Sequence, residues 1–112
     1  MTPAEASQKT AEICQLAPVI PVLVIHDVAI AADLAKALIA GGLPVLEITL
    51  RTPAALSAIE EMAKVDGGVV GAGTLLTPDD VSKAVAAGSK FGVSPGSTPT
   101  LLDAAEAAGL PM

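Results

Sequence analysis

The residues with chemical potential are concentrated in one short apolar stretch. From position 45 the sequence runs Val45-Leu46-Glu47-Ile48-Thr49-Leu50-Arg51. Burying an unpaired ion is costly, so two ionisable residues in such a run need an explanation. If the stretch is a strand, its period of two puts Glu47, Thr49 and Arg51 on one face and Leu46, Ile48 and Leu50 on the other. A carboxylate held on the enclosed face of a sheet can act as general acid or base. Arg51, the chain's sole arginine, would stand at the strand's C-terminal end, where parallel α/β folds gather their ligands. A guanidinium placed there can grip a substrate carboxylate with two parallel hydrogen bonds. A simple ion pair is the competing reading, but four strand residues separate the two Cα atoms by about 13 Å.

Two further strand ends are notable. Gly71-Ala72-Gly73-Thr74 carries glycines at alternate positions, which either leave room for a ligand or a large facing side chain, or serve close strand packing. It is no dinucleotide fingerprint, because Leu76 stands where the third glycine is required. Gly92-Val93-Ser94-Pro95-Gly96 matches the G-x-S-x-G pattern of a nucleophile elbow in letters only. The residue after the serine must offer a backbone N–H to the oxyanion, and Pro95 has none. The single histidine, His26, lies upstream and beside Asp27, and is read as a solvated loop residue, since one histidine makes no metal site. Cys14 reads as a small core residue. Lys90 reads as a solvated lysine at a strand start, with a Schiff-base role as the sharper alternative.

The elements that position these residues are marked by punctuation. Thr-Pro occurs at 52–53, 77–78 and 98–99, an N-cap followed by a residue that suits the first helical position. Asp79 and Asp80 add negative charge to the first turn after Thr77. Glycines at 41–42, 67–68, 88 and 109 mark helix ends. Between the helices lie β-branched runs at 19–25, 45–50, 69–72 and 91–93, too short for helices and suited to buried strands. Leu34, Leu38 and Ile39 after Asp27, and Leu56, Ile59 and Met62 after Thr52, form apolar helical stripes. A further helix is expected from about Pro3 to Leu16. Strand then helix, four times over, predicts parallel strands with right-handed crossovers. Pro21 suits only a strand that lacks a ladder partner on one side.

Composition narrows the function. Hydrophobic residues make up 52% of the 112, with Phe91 as the lone aromatic, as suits parallel strands under alanine-rich helices. A net charge of −6 disfavours a phosphate backbone, so no nucleic-acid partner is expected. No apolar run is long enough to span a bilayer and no basic-then-apolar leader opens the chain, so no membrane association is expected. One cysteine fits a reducing, cytoplasmic setting. Gly42-Leu43-Pro44, which leads into the second strand, returns as Gly109-Leu110-Pro111 one residue before the last. A fifth strand is expected to begin there, which reads as truncation.

Residues 45–52 (Val-Leu-Glu-Ile-Thr-Leu-Arg-Thr), 70–76 (Val-Gly-Ala-Gly-Thr-Leu-Leu) and 91–96 (Phe-Gly-Val-Ser-Pro-Gly), with Pro-Val-Ile-Pro-Val-Leu-Val-Ile at 18–25, closely resemble the 2-keto-3-deoxy-6-phosphogluconate (KDPG) aldolases. The resemblance runs in register from about residue 10 to the end. It implies a (β/α)8 TIM barrel, of which residues 1–112 are a single N-terminal part. That part comprises the leading helix and the first four βα units, a half-barrel cut at the start of the fifth strand.

The resemblance also implies a class I aldolase, a lyase of the Entner–Doudoroff pathway. It would cleave KDPG to pyruvate and glyceraldehyde 3-phosphate, some members also acting on 4-hydroxy-2-oxoglutarate. No cofactor or metal is implied, the small-molecule partner is a 2-keto acid, and the assembly is a homotrimer. Glu47 would be the general acid/base of the carbinolamine, imine and enamine stages. Arg51 would bind the carboxylate of the pyruvoyl portion, Thr74 would line the same subsite, and Pro95 would shape the wall. Val24-Ile25-His26 lacks the arginine that a galactonate-type branch places after the first strand, so the gluconate type fits better. The family's Schiff-base lysine lies on the sixth strand and its phosphate-binding glycines and serine in the seventh and eighth units, none of them in this chain. Lys90 does not occupy the lysine's position, so these 112 residues alone are expected to be inactive and, as a half-barrel, to associate. The alternative is a non-catalytic module that binds a small carboxylate or serves as an assembly unit.

Overall fold

A computed structural model describes all 112 residues. The chain opens with α1 (Pro3–Cys14), β1 (Val22–Leu23) and a short 3-10 turn at Val28–Ile30 that leads into α2 (Ala31–Ala40). There follow β2 (Val45–Thr49), α3 (Ala55–Ala63), β3 (Val69–Gly73), α4 (Pro78–Ala87) and α5 (Pro99–Ala108). The strands are parallel in the order β1-β2-β3, each helix returning the chain to the next strand. Helices on one face of a parallel sheet are what a strand–helix alternation must build.

The fourth strand is shorter than its apolar run suggests. Only Ala72 and Gly92 form a regular bridge, yet the 90–93 backbone follows β3 closely. Lys90 donates to the Val70 carbonyl at 2.7 Å, Ala72 to Phe91 at 3.1 Å, Val93 to Ala72 at 2.9 Å and Leu75 to Val93 at 3.1 Å. On its far side, the Gly92 N–H donates to the Pro111 carbonyl at 2.8 Å, so the Leu110–Met112 segment lies alongside it. At the other end β1 is an edge strand of two residues. Pro21 faces β2, its carbonyl accepting from the Glu47 N–H at 3.1 Å. A strand residue points its N–H and C=O the same way, so the bond Pro21 lacks is one to β2, and the regular pairing starts only at Val22.

Punctuation is kept at some helix ends and altered at others. Thr77 and Thr98 cap α4 and α5, and Thr77 with Asp80 completes a capping box. Gly88 and Gly109 end those helices at φ 107° and 70°. Thr52 does not cap α3: its hydroxyl donates instead to the Ile25 carbonyl at 2.5 Å, tying the end of β2 to the end of β1. Asp27 caps the 3-10 turn, not α2 itself. Helix α3 stops at Ala63, and Gly67 serves the following turn at φ 89°.

The core lies between the sheet and its helices. Leu46 and Ile48 of β2, with Val70 and Ala72 of β3, pack against Ala35, Ala58, Ile59, Met62, Val81 and Ala84. Small alanines let the helix axes approach the sheet while the branched strand residues fill the gap. Helix α1 contributes no buried residue. Cys14, expected in the core, is exposed, because α1 lies outside the helix–sheet sandwich.

Candidate active site

The alternation of β2 sorts its residues as expected. Leu46 and Ile48 enter the core, while Glu47 and Thr49 occupy the opposite, inner face of the sheet and are also buried. Thr49 satisfies its hydroxyl by donating to the Leu23 carbonyl at 3.3 Å. Glu47 sits in the middle of the strand and lines a small, partly open cavity of about 120 Å³ with Phe91, Gly92 and Val93 on one side and Ile20 and the Thr10, Ile13 and Cys14 side of α1 on the other. Burial pushes the Glu47 carboxyl above its ordinary value, and the Arg51 guanidinium only partly opposes the shift. No ion pair joins the two: the chain's ion pairs are Lys64–Glu61 and Lys83–Asp79, both exposed on helices. A buried carboxyl with no partner and a raised pKa has the properties of a proton carrier.

Arg51 lies two residues past the end of β2 and is exposed. Thr74 follows β3 directly, half-buried, with its backbone at φ 63°. It is the only non-glycine residue in the left-handed region. A β-branched residue pays for that conformation with roughly 1–3 kcal/mol, and such strain gathers at functional sites. Pro95 is exposed in the bend after the 91–93 segment. Glu47, Arg51, Thr74 and Pro95 therefore belong to three adjacent sheet positions, Glu47 within the inner face and the other three at its C-terminal edge.

The remaining candidates fall away from this edge. Ser94 turns its hydroxyl into its own loop, donating to the Gly96 carbonyl at 2.5 Å. His26 is exposed. Lys90 is exposed at the N-terminal start of the fourth segment, among Met1, Lys9, Val69 and Pro111. It stands at the opposite end of the sheet from Thr74 and Pro95. No three His, Cys, Asp or Glu side chains converge, and no helix is long and apolar enough to cross a membrane.

Sequence reasoning missed two contributors. Phe91 reaches across Gly71 and forms a wall of the Glu47 cavity. Ile20 and α1 form the wall facing it. The alternating glycines were the available signal, and of their two readings it is room for large facing side chains that holds.

A family model for KDPG and KHG aldolases matches residues 10–112. The 2-dehydro-3-deoxy-phosphogluconate aldolase of Zymomonas mobilis is 57% identical over 89 residues, covering 80% of this chain and 43% of that protein. The KHG/KDPG aldolase of Escherichia coli K12 is 47% identical over 96 residues, covering 85% and 45%. A crystal structure of the 2-keto-3-deoxy-6-phosphogluconate aldolase of Zymomonas mobilis ZM4 with 3-phosphoglycerate superposes with a TM-score of 0.89 at 51% identity, covering 92% of this chain and 49% of that one. The KDPG aldolase of Legionella pneumophila, with pyruvate captured as a covalent carbinolamine, gives 0.82 at 46% identity, covering 88% and 48%. The chain thus spans less than half the length of the curated relatives it matches. With the buried acid on its inner face and the fold of these enzymes, the chain belongs to the KDPG and KHG aldolase family.

Proposed function

We propose that these 112 residues are the N-terminal half of a (β/α)8 aldolase barrel: the leading helix, four βα units and the first residues of a fifth strand. In this reading the whole protein is a class I lyase that cleaves KDPG to pyruvate and glyceraldehyde 3-phosphate, and splits 4-hydroxy-2-oxoglutarate as a second substrate. The observation that carries it is the Glu47 carboxyl, buried on the inner face without a cation partner and raised in pKa by that burial. A carboxyl in that state gives and takes protons near neutrality more readily than an exposed one. Glu47 moves protons between the substrate carbons and oxygens as carbinolamine, imine and enamine interconvert. Arg51 binds the pyruvoyl carboxylate, the Thr74 hydroxyl lines the same subsite, and Pro95 stiffens its wall.

The electrophile needs a lysine inside the barrel, and this chain brings none there, since Lys90 stands at the wrong end of the sheet. The half-barrel alone is therefore catalytically silent. The Pro111 carbonyl bonded to Gly92 supports the fifth-strand reading. So does the inner face, where Val22 and Val93 are exposed and await the remaining strands or, in the isolated chain, a second copy. Homotrimeric assembly of the whole enzyme and a cytoplasmic role in the Entner–Doudoroff pathway complete the proposal.

Incubation with pyruvate and borohydride, read by intact mass, is the direct test. Reduction of an imine leaves a permanent adduct on the lysine that formed it. The 112-residue chain is expected to give no adduct and a longer parent a single one; an adduct mapped to Lys90 would overturn the assignment. A parent without any adduct would favour the carboxylate-binding module.

A further inference from the structure

The seat of the Glu47 carboxyl is built by the neighbouring strand. Register places Glu47 beside Gly71 and Thr49 beside Gly73, yet Glu47 leans toward the C-terminal edge until its carboxyl covers Gly73. A β-carbon at position 73 would overlap Oε2 and stand 2.9 Å from Cδ and 3.1 Å from Cγ of Glu47. At Gly71 the same construction meets the Phe91 ring at 2.5 Å. The two glycines therefore hold two different side chains, the ring against Gly71 and the carboxyl against Gly73. Gly73 has no backbone need for glycine, since it is not among the residues at positive φ. Its missing side chain is explained by what lies on top of it.

We propose that Gly73 is a positioning residue: its bare backbone is the floor on which the Glu47 carboxyl rests, with the Phe91 ring on Gly71 as the adjoining wall. This rests on the reading of Glu47 as the acid/base. Proton transfer requires that a carboxyl be held to within about half an ångström of its working place. A methyl at position 73 displaces it by rotating a flexible side chain rather than by breaking the strand. Arg51 is the one charged group that bears on the carboxyl, and it stays in place in such a variant.

The test is a double-mutant cycle on the 112-residue chain, with Gly73→Ala, Glu47→Ala and the pair, followed by denaturant unfolding. If the floor exists for Glu47, Gly73→Ala destabilises the parent and costs little in the Glu47→Ala background. An equal cost in both backgrounds, or failure of the double variant to fold, would overturn the proposal. Unfolding of Gly73→Ala with a folded double variant supports it.

Carbon-13 titration of the Glu47 Cδ gives a readout that a merely structural glycine would not move. The native resonance titrates above the ordinary glutamate value, and Gly73→Ala lowers its midpoint. The control Gly96→Ala, where nothing lies within 4 Å of the added carbon, leaves it unchanged. An unmoved Glu47 titration in Gly73→Ala would also overturn the proposal. These readouts need no catalysis. A cycle that couples, beside a longer parent still active as Glu47→Gln, would leave the seat standing and remove the acid/base role.

Discussion

The two faces of one sheet meet different fates. On the helix side, Leu46 and Ile48 of β2 and Ala72 of β3 are wholly buried, each against side chains of this chain. On the inner side, Val22 and Val93 are 57% and 39% exposed, and Val24, next in the alternation of β1, is 44% exposed. Between them the inner face carries an acid, a hydroxyl, two glycines and one aromatic ring. The helix face is thus solved by local packing and supplies the stability. The inner face spends stability on an ionisable group and a strained residue, a division expected where a scaffold holds a site.

The comparison can be broken most directly by truncating matched residues on the two faces. Ile48→Ala should cost about 2–5 kcal/mol, a large share of the roughly 5–15 kcal/mol that a domain of this size has. Val22→Ala should stay within about 0.5 kcal/mol. Urea unfolding of both variants checks the ratio, and equal costs would dissolve the distinction.

Thr74→Gly should raise stability by about 1 kcal/mol, since glycine accepts the left-handed backbone without strain. That corresponds to a rise of about 4–8 °C in melting temperature. Loss of stability in calorimetry would mean that the Thr74 side chain supports the fold more than its backbone strains it.

Glu47→Gln sharpens the contrast through pH. Burial raises the folded-state pKa of Glu47 above 4.5, so the native state holds its proton more tightly than the unfolded chain does. The native protein then loses stability relative to the Gln variant as pH rises from 4.5 through the raised value. Thermal melts should show a modest advantage for the variant at pH 7 that disappears below pH 4.5. An advantage that persists at low pH would point to a packing effect.

The smallest effect on stability is expected from Val22→Thr, Val24→Thr and Val93→Thr combined. This triple variant should melt close to the parent while its concentration-dependent association, followed by sedimentation, falls. Unchanged association would place the contact between copies elsewhere, for instance at the apolar groove between α1 and α5 formed by Ala6, Thr10, Leu102 and Leu110.

Much of this architecture was legible because local rules and the fold agreed. The period of two in Val45–Arg51 correctly separated Glu47 from Ile48, and Thr77, Thr98, Gly88 and Gly109 marked helix ends by geometry that any helix shares. The failures came where a tertiary partner outbid a local preference. Thr52 was better used by the Ile25 carbonyl than by a helix N-terminus. Cys14 missed the core because no signal in α1 says which surface the helix will face. In the candidate site, the inner-face placement of Glu47 could be read from its own strand, whereas Arg51 lies beyond the end of β2, and the contact of Phe91 with Gly71 depends on a neighbouring strand's register, which a single sequence does not state. The strain at Thr74 is likewise a property of the backbone and leaves no mark on residue type.

The pairing order has a consequence for how the molecule forms. Val22 registers with Glu47, Val45 with Val69 and Ala72 with Gly92, so every strand finds its neighbour in the very next unit of sequence. Closing each interval costs little more entropy than closing a shorter one, although each parallel pair must wait for its crossover helix, which makes this slower than purely helical contact formation. As the polypeptide emerges from the ribosome, each unit can dock on the one already made, and Glu47 is enclosed once Phe91 has arrived.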